Sequence, residues 1–147
     1  MGVGGNVAAY LLFYIEESRH ENRYPWVDRW CAMTGLTPVV IDRAGKAPSK
    51  RSGILSFLTL PEAMAHPKLR DLQWVWLDSE ATLHVDEFEH PATDVVYCIG
   101  SDYDGLEEAP NREGVTLKIR DIDEVHASLC VPLLCYDRLL YLTNRRA

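Results

Sequence analysis

The segment from residue 94 to residue 106, DVVYCIGSDYDGL, decides the fold. Its first half is a short, continuous apolar run, which is typical of a strand buried on both faces of a sheet. The run stops at Gly100, and a second glycine follows at Gly105 with Asp102 and Asp104 between them. Two glycines so close to a strand end are also usual in an ordinary strand-to-helix turn. The residues alone therefore predict a buried strand followed by a tight turn.

Strand and helix patterns alternate along the rest of the chain. Short apolar runs suited to strands lie at 8–15, 38–41, 53–58, 73–77, 94–100 and 115–119. Helical patterns lie at 25–35, within 61–69 and from about Pro132 to Asn144. Pro25 suits the first turn of its helix and Gly35 suits the C-terminal cap. The alternation predicts one α/β domain over residues 1–147, built on a mostly parallel sheet.

Composition narrows the class of protein. The chain has 147 residues, is 47% hydrophobic and carries a net charge of −7. It contains no apolar run of about 18 residues that would span a membrane, and its first residues lack the basic leader of a signal peptide. The four cysteines stand in apolar runs without metal-ligand spacing, which indicates buried thiols in a reducing compartment. We therefore expect a soluble cytoplasmic protein without a membrane segment.

Charge is unevenly distributed. Between Asp78 and Glu108 there are ten acidic residues and no Lys or Arg. In contrast, RAGKAPSKR contains four basic residues, namely Arg43, Lys46, Lys50 and Arg51. This basic segment offers a surface for the phosphates of a polyanion, although a solvated loop would have the same composition.

The last predicted helix is apolar around nearly its whole circumference. Its apolar residues are Leu133, Leu134, Cys135, Tyr136, Leu139, Leu140, Tyr141 and Leu142. Only Asp137 and Arg138 interrupt them, as a predicted polar strip. A helix of this kind has to be buried, either against a second subunit in a homodimer or inside the monomer.

A ligand site is expected where the strands end. In open α/β sheets the ligand lies outside the carboxyl ends of the strands. The loops after 73–77, 94–100 and 115–119 lack a phosphate-binding glycine pattern and are rich in acids, which favours an adenosine-type or cationic ligand. HVDEFEH (84–90) contains two histidines and three acids, but a solvated loop or strand edge is the favoured interpretation and no metal site is expected.

Three motifs in order, RWCAMTGLTPVVID (29–42), IGSDYDGL (99–106) and LKIRDIDEVHASLCVPLLCYDRLLY (117–141), resemble those of the SPOUT superfamily. Within it the chain is similar to the small SpoU-type RNA ribose 2′-O-methyltransferases that act on tRNA. The resemblance implies a deep C-terminal trefoil knot, S-adenosylmethionine as cofactor, RNA (tRNA or rRNA) as substrate and a homodimer formed through the last helix. A non-catalytic relative that keeps the knot and the dimer as an RNA-binding or regulatory module is the alternative.

The resemblance also assigns roles to residues. Arg29 takes the place of the motif-one arginine that meets the ribose hydroxyl and its phosphate. Residues that take cofactor-binding places are Leu77, Asp78, Gly100, Asp102, Gly105, Ile119, Ser128, Leu129 and Cys130. The two glycines would make the tight, partly left-handed turns of the knotted loop. The chain departs from the family pattern at Asp102, which replaces a glutamate, and at Cys130 and Pro132, which replace an asparagine and a serine. The asparagines that precede the motif-one arginine are also absent.

Overall fold

A computed structural model describes residues 8–15, 24–43, 55–101, 105–120 and 127–146. The strands are β1 (Ala9–Ile15), β2 (Thr37–Asp42), β3 (Leu55–Phe57), β4 (Gln73–Leu77), β5 (Leu83–His84), β6 (Val95–Ile99) and β7 (Val115–Lys118). The helices are α1 (Tyr24–Thr34), α2 (Leu60–Ala65) and α3 (Ala127–Leu142), with a 3₁₀ turn at Val85–Glu87. All six strands expected from the sequence are confirmed, and the two-residue strand β5 is an addition.

In the described part of the chain, seven strands form one sheet in the order β3-β2-β1-β6-β4-β7-β5, and every strand pairing there is parallel. The expected α/β fold with a mostly parallel sheet is therefore confirmed. β6 is buried at all five positions, between β1 on one side and β4 on the other. A strand in that position has neither a solvent face nor a free edge, which explains its uninterrupted apolar run.

Both faces of the sheet are covered. Alternate strand residues such as Leu11 and Tyr97 pack with α1 and α3 on one face. The other set, which includes Leu12 and Trp76, packs with α2 and with the turn at residues 106–109. The result is a three-layer arrangement in which each face of the sheet has its own apolar cluster.

Helix α1 ends at the glycine that the sequence predicted as its cap. Gly35 has a φ of +74°, and the amide of Leu36 donates to the carbonyl of Cys31 at 2.9 Å. This bond satisfies a carbonyl that the helix end would otherwise leave unpaired. α1 then leads within two residues into β2, which fixes its direction against the sheet.

Helix α3 begins at Ala127, so the expected start at Pro132 was wrong. Pro132 instead lies inside the helix, where it has no N–H to donate to the carbonyl of Ser128. Cys130 and Val131 are buried and continue the apolar stripe of the helix backwards from Pro132. The burial of these side chains offsets the loss of one helical hydrogen bond.

Arg138 corrects the expected polar strip on α3, because its side chain is 2% exposed. Its guanidinium donates to the carbonyls of Pro91 and Ala92 and to the hydroxyl of Tyr97. Tyr97 also bonds Nδ1 of His90 at 2.8 Å, and Nε2 of His90 lies 2.7 Å from Asp137. A polar network therefore joins α3 to β6 through the apolar core of that face.

The segment 84–90 is only partly the solvated run that was expected. Asp86 and Glu87 are exposed and contact Arg120, whereas His90 is 3% exposed inside the network. Burial lowers the pKa of His90, and the carboxylate of Asp137 acts in the opposite direction with a smaller effect. Within the described residues no group of His, Cys, Asp and Glu is arranged to hold a metal ion.

The four cysteines are buried and free, as expected. Burial raises the pKa of the Cys31, Cys98 and Cys135 thiols, in the last case to about 11. Among the helices of the described residues, none is long and apolar enough to cross a membrane.

Candidate functional site

The carboxyl ends of the parallel strands meet at one edge of the sheet. At this edge Leu77 of β4 pairs with Ile99 of β6 and with Leu117 of β7. The connection after β1 leads to α1 on one face, whereas the turn after β6 packs on the opposite face. In sheets of this kind a crevice that binds ligands forms where neighbouring strands connect to opposite faces, so we expect a crevice between β1 and β6.

Gly100, Ser101 and Gly105, which we call the glycine loop, lie directly after β6. Ser101 and Gly105 form a bridge of two hydrogen bonds, 2.9 Å from the Ser101 amide and 3.0 Å from the Gly105 amide. A Cβ on Gly100 would lie 2.8 Å from the carbonyl carbon of Gly105, so only glycine permits this approach. Gly105 has a φ of +58° in the left-handed region, with open space where its Cβ would be. The two glycines thus serve different purposes, one steric and one conformational.

Residues 102–104 lie outside the described part of the chain, and so do residues 121–126. The expected role of Asp102 stays a prediction for that reason. The trefoil knot also stays a prediction, since the connection that would complete it passes through residues 121–126.

Arg112 fixes the turn that follows the glycine loop. It donates to the carbonyls of Leu106 and Ala109 at 3.1 and 2.9 Å and to the carboxylate of Asp78 at 2.8 Å. Asp78, which the sequence places in the cofactor site, is thereby tied to this turn at the end of β4. The Asp78 carboxylate holds the Arg112 side chain that bonds this turn, and a contact between Asp78 and a ligand would come in addition to that ion pair.

Gly114 marks a close approach that sequence reasoning missed. Its φ is +121°, and a Cβ there would collide with the carbonyl oxygen of Trp74. The indole of Trp76 donates to the carbonyl of the preceding residue, Glu113, at 2.9 Å. Gly114 therefore lets the chain enter β7 tightly against the start of β4.

Four polar side chains meet at this edge of the sheet, those of Tyr14 in β1, Arg43 directly after β2, Ser101 in the glycine loop and Glu108 in the turn that follows. The hydroxyl of Tyr14 donates to Glu108 at 2.7 Å, and burial raises the pKa of this tyrosine above its usual range. Arg43 donates to the hydroxyl of Ser101 at 3.1 Å, lies 4.0 Å from Glu108 and covers the Tyr14 ring. Tyr14 and Glu108 did not stand out in the sequence, because Tyr14 is part of an apolar run and Glu108 of an acidic one.

Arg29 lies on α1 with its side chain exposed. Because α1 ends next to the start of β2, its N-terminal end is the one nearer the carboxyl edge of the sheet, and Arg29 is about 7.5 Å along the axis from the first residue of the helix. Helical side chains generally lean toward the N-terminus, so we expect the guanidinium to extend toward the same edge.

The third motif brings its residues to β7 and the first turns of α3. Ile119 directly follows β7 and packs partly buried against the core beneath α1 and α3. Leu129 is exposed and Cys130 is buried, while Ser128 lies in the first turn of α3. The sheet thus gathers Leu77, Asp78, Gly100, Gly105 and Ile119 at one edge. Lys46, Lys50 and Arg51 lie outside the described residues.

Comparisons with known proteins come from structure alone, since no family model and no curated protein matches the chain. A structure from a study of the 2′-OH methylation of C/U34 on tRNA has a TM-score of 0.71 and 21% identity, over 96% of this chain and 94% of that one. The A. aeolicus TrmH/SpoU tRNA modifying enzyme has a TM-score of 0.72 and 13% identity, over 95% of this chain and 78% of that one. The SpoU methyltransferase AviRb from Streptomyces viridochromogenes, in complex with AdoMet, has a TM-score of 0.72 and 16% identity, over 93% of this chain and 61% of that one. The chain therefore has the fold of the SpoU-type RNA methyltransferases.

Proposed function

We propose that the protein is an S-adenosylmethionine-dependent RNA ribose 2′-O-methyltransferase acting on tRNA or rRNA. The observation that carries the proposal is the glycine loop, closed by the Ser101–Gly105 bridge at the carboxyl end of β6. The structures with the same fold support it, since they include a tRNA 2′-OH methylation study and a methyltransferase with AdoMet bound.

The residues present at the edge of the sheet fit such a cofactor. Nothing lies within 4 Å of the position that a Cβ on Gly105 would take, so a ligand can lie against the backbone there, while Gly100 permits the close approach of Gly105. Leu77, Gly100, Gly105 and Ile119 would hold its adenosine part, and Asp102 would add a carboxylate. When bound, the cofactor supplies an electrophilic methyl group on a cationic sulfur, a charge that suits the acidic stretch between Asp78 and Glu108.

Arg29 is the proposed catalytic residue of the chain. Its guanidinium is a planar fork that can hold a phosphate through two hydrogen bonds and orient the neighbouring ribose hydroxyl. Arginine stays protonated in proteins, so its contribution is to position and to stabilise negative charge, not to remove the proton unaided. The basic residues Lys46, Lys50 and Arg51 would hold more distant phosphates.

A homodimer through α3 completes the proposal. Three apolar side chains on this helix are well exposed, namely Leu129 (55%), Leu133 (45%) and Tyr136 (55%), and Met33 of the neighbouring α1 is 64% exposed. The opposite side of α3 is buried in the monomer, with Leu134 and Cys135 fully covered. Exposed apolar side chains grouped on packed helices are typical of a surface that a second subunit covers.

A non-catalytic RNA-binding module is the second candidate. Cys130 favours it, because its buried thiol stands where the resembled enzymes have an asparagine and cannot replace an amide that both donates and accepts. The two candidates differ in whether the wild-type protein transfers a methyl group at all.

The experiment is single-turnover methyl transfer from S-adenosylmethionine to unmodified tRNA and rRNA transcripts, beside a calorimetric cofactor titration. We expect Arg29→Ala to bind the cofactor nearly as well as wild type and to transfer methyl groups about 100-fold more slowly or worse. Arg29→Lys should restore little, since one ammonium does not reproduce the fork. Arg70→Ala is the matched control, because Arg70 is an exposed arginine after α2 that pairs with Asp71 at 3.6 Å.

Wild-type turnover by Arg29→Ala would remove Arg29 from the catalytic role. Cofactor binding by wild type without methyl transfer to any transcript would instead favour the non-catalytic module.

A further inference from the structure

Arg43 contacts Ser101 in the glycine loop and Glu108 in the turn that follows the loop. It donates to Ser101, one residue after Gly100, and faces Glu108, which belongs to the turn that begins after Gly105. The sequence predicted Arg43 as one of four phosphate contacts in the basic segment. In the structure its side chain is 30% exposed and packs inward over the Tyr14 ring at 4.9 Å.

The partners of Arg43 are themselves fixed. Glu108 accepts a hydrogen bond from Tyr14 at the end of β1. Ser101 belongs to the two-bond bridge that closes the glycine loop. Arg112 holds the turn between them through the carbonyls of Leu106 and Ala109. Arg43 therefore connects the glycine loop to the turn that follows it, both partners are anchored elsewhere, and its planar guanidinium can bond both at once.

The contacts of Arg43 with Ser101 and Glu108 lie at the carboxyl ends of the strands, where a ligand is expected to bind. Arg43 directly follows β2, and Tyr14 lies near the end of β1, so the cluster spans the side of the crevice that faces the glycine loop. The core beneath it includes Tyr14, Leu106 and Ala109 but not Arg43, so the arginine lies over this face without forming part of its apolar cluster. Its loss would loosen the loop without opening the core.

We propose that Arg43 is a positioning residue that stabilises the Ser101–Gly105 bridge by joining Ser101 to Glu108, and so sets the affinity for the cofactor. This inference rests on the proposed function for the identity of the ligand, and on the described contacts alone for the bridge. A positioning role predicts effects on the loop and on cofactor affinity, whereas a phosphate contact predicts an effect on RNA affinity and its salt dependence.

The first test uses hydrogen exchange of the ligand-free protein. Arg43→Gln should raise the exchange rate of the Ser101 and Gly105 amides about tenfold, because the bridge that protects them opens more often. The amide of Leu36, bonded to Cys31 at the far end of α1, is the internal reference for global stability and should not change. Arg70→Gln is the matched loss of one exposed arginine and should leave the amides of Ser101, Gly105 and Leu36 at wild-type rates.

The second test measures the dissociation constant of S-adenosylhomocysteine by calorimetry. Arg43→Gln should weaken binding about tenfold, Arg43→Lys less, since an ammonium can pair with Ser101 or Glu108 but does not span both. Glu108→Gln should weaken binding in the same direction, and the double variant should be no weaker than Arg43→Gln alone, because both act through one contact. RNA affinity should be retained by Arg43→Lys.

Two results would overturn the proposal. The first is an unchanged exchange rate of the Ser101 and Gly105 amides in Arg43→Gln. The second is an increase in their exchange rate that the Leu36 amide shows equally, because the whole fold would then be less stable. If wild type fails to bind S-adenosylhomocysteine while the exchange result is as expected, the proposed function fails and the positioning of the loop by Arg43 stands.

Discussion

The sharpest consequence of the glycine loop is that its two glycines should respond differently to alanine. At Gly100 a Cβ would lie 2.8 Å from the carbonyl carbon of Gly105, where ordinary contacts begin at 3.4 Å. Gly105 would have to move away by about 0.6 Å, which stretches both bonds of the Ser101–Gly105 bridge to the limit of hydrogen bonding. Each such bond contributes about 1 kcal/mol, so Gly100→Ala should cost about 2 kcal/mol.

At Gly105 the obstacle is the backbone conformation. Its φ of +58° is costly for alanine, but nothing lies within 4 Å of the new Cβ. Gly105→Ala should therefore cost about 1 kcal/mol, and Gly105→Asn less, because asparagine tolerates the left-handed region. Gly35→Ala is the matched control, with a φ of +74° and equally open space at a site remote from the crevice.

The assay is urea unfolding of the four variants, with the free energy of unfolding taken at a fixed temperature. S-adenosylhomocysteine affinity should fall in Gly100→Ala and stay at the wild-type value in Gly35→Ala. A Gly100→Ala variant that is as stable as Gly105→Ala, with wild-type affinity, would refute the steric argument.

Two further predictions concern pH and assembly. Because burial lowers the pKa of His90 from 6.5, the stability that it contributes is present above that pH and is lost as the pH falls below it. Urea unfolding between pH 7.5 and 5 should show a smaller loss of stability in His90→Gln than in wild type. Light scattering of the wild-type protein should give a mass of about twice 16.7 kDa, the mass of one chain. The double variant Leu133→Glu/Tyr136→Glu should shift toward the mass of one chain, because two charges would then lie in the dimer interface. A wild-type monomer at micromolar concentration would contradict the dimer.

Periodicity was enough to predict the architecture, because the sheet is parallel and covered on both faces. A strand in such a sheet has to be apolar at every position, as β6 is, and this leaves a clear pattern in the sequence. The cap at Gly35 was predictable for a similar reason, since it depends on one residue and its immediate neighbours. The start of α3 was not, because Pro132 is tolerated there only through burial of Cys130 and Val131 against other elements.

The site divides in the same way. The glycine loop could be predicted because both glycines come shortly after the apolar run of β6. The Arg43 cluster could not, since Tyr14, Arg43 and Glu108 come from segments far apart in the chain and each looks ordinary among its neighbours. The buried Arg138 was missed because its acceptors are the backbone carbonyls of Pro91 and Ala92, which leave no trace in the pattern of side chains.

The strand order has a consequence for how the chain folds. β1 pairs with β6, from Ala9 opposite Val95 to Leu12 opposite Cys98, so the centre of the sheet joins segments that are far apart in the sequence. Closing so long a loop costs entropy before any contact repays it, which places the protein among slowly folding topologies. Until β6 arrives, β1 and β4 each present an unpaired apolar edge. Substitutions that delay β6, such as a proline at Val96, should therefore increase aggregation during refolding more than they lower the stability of the folded state.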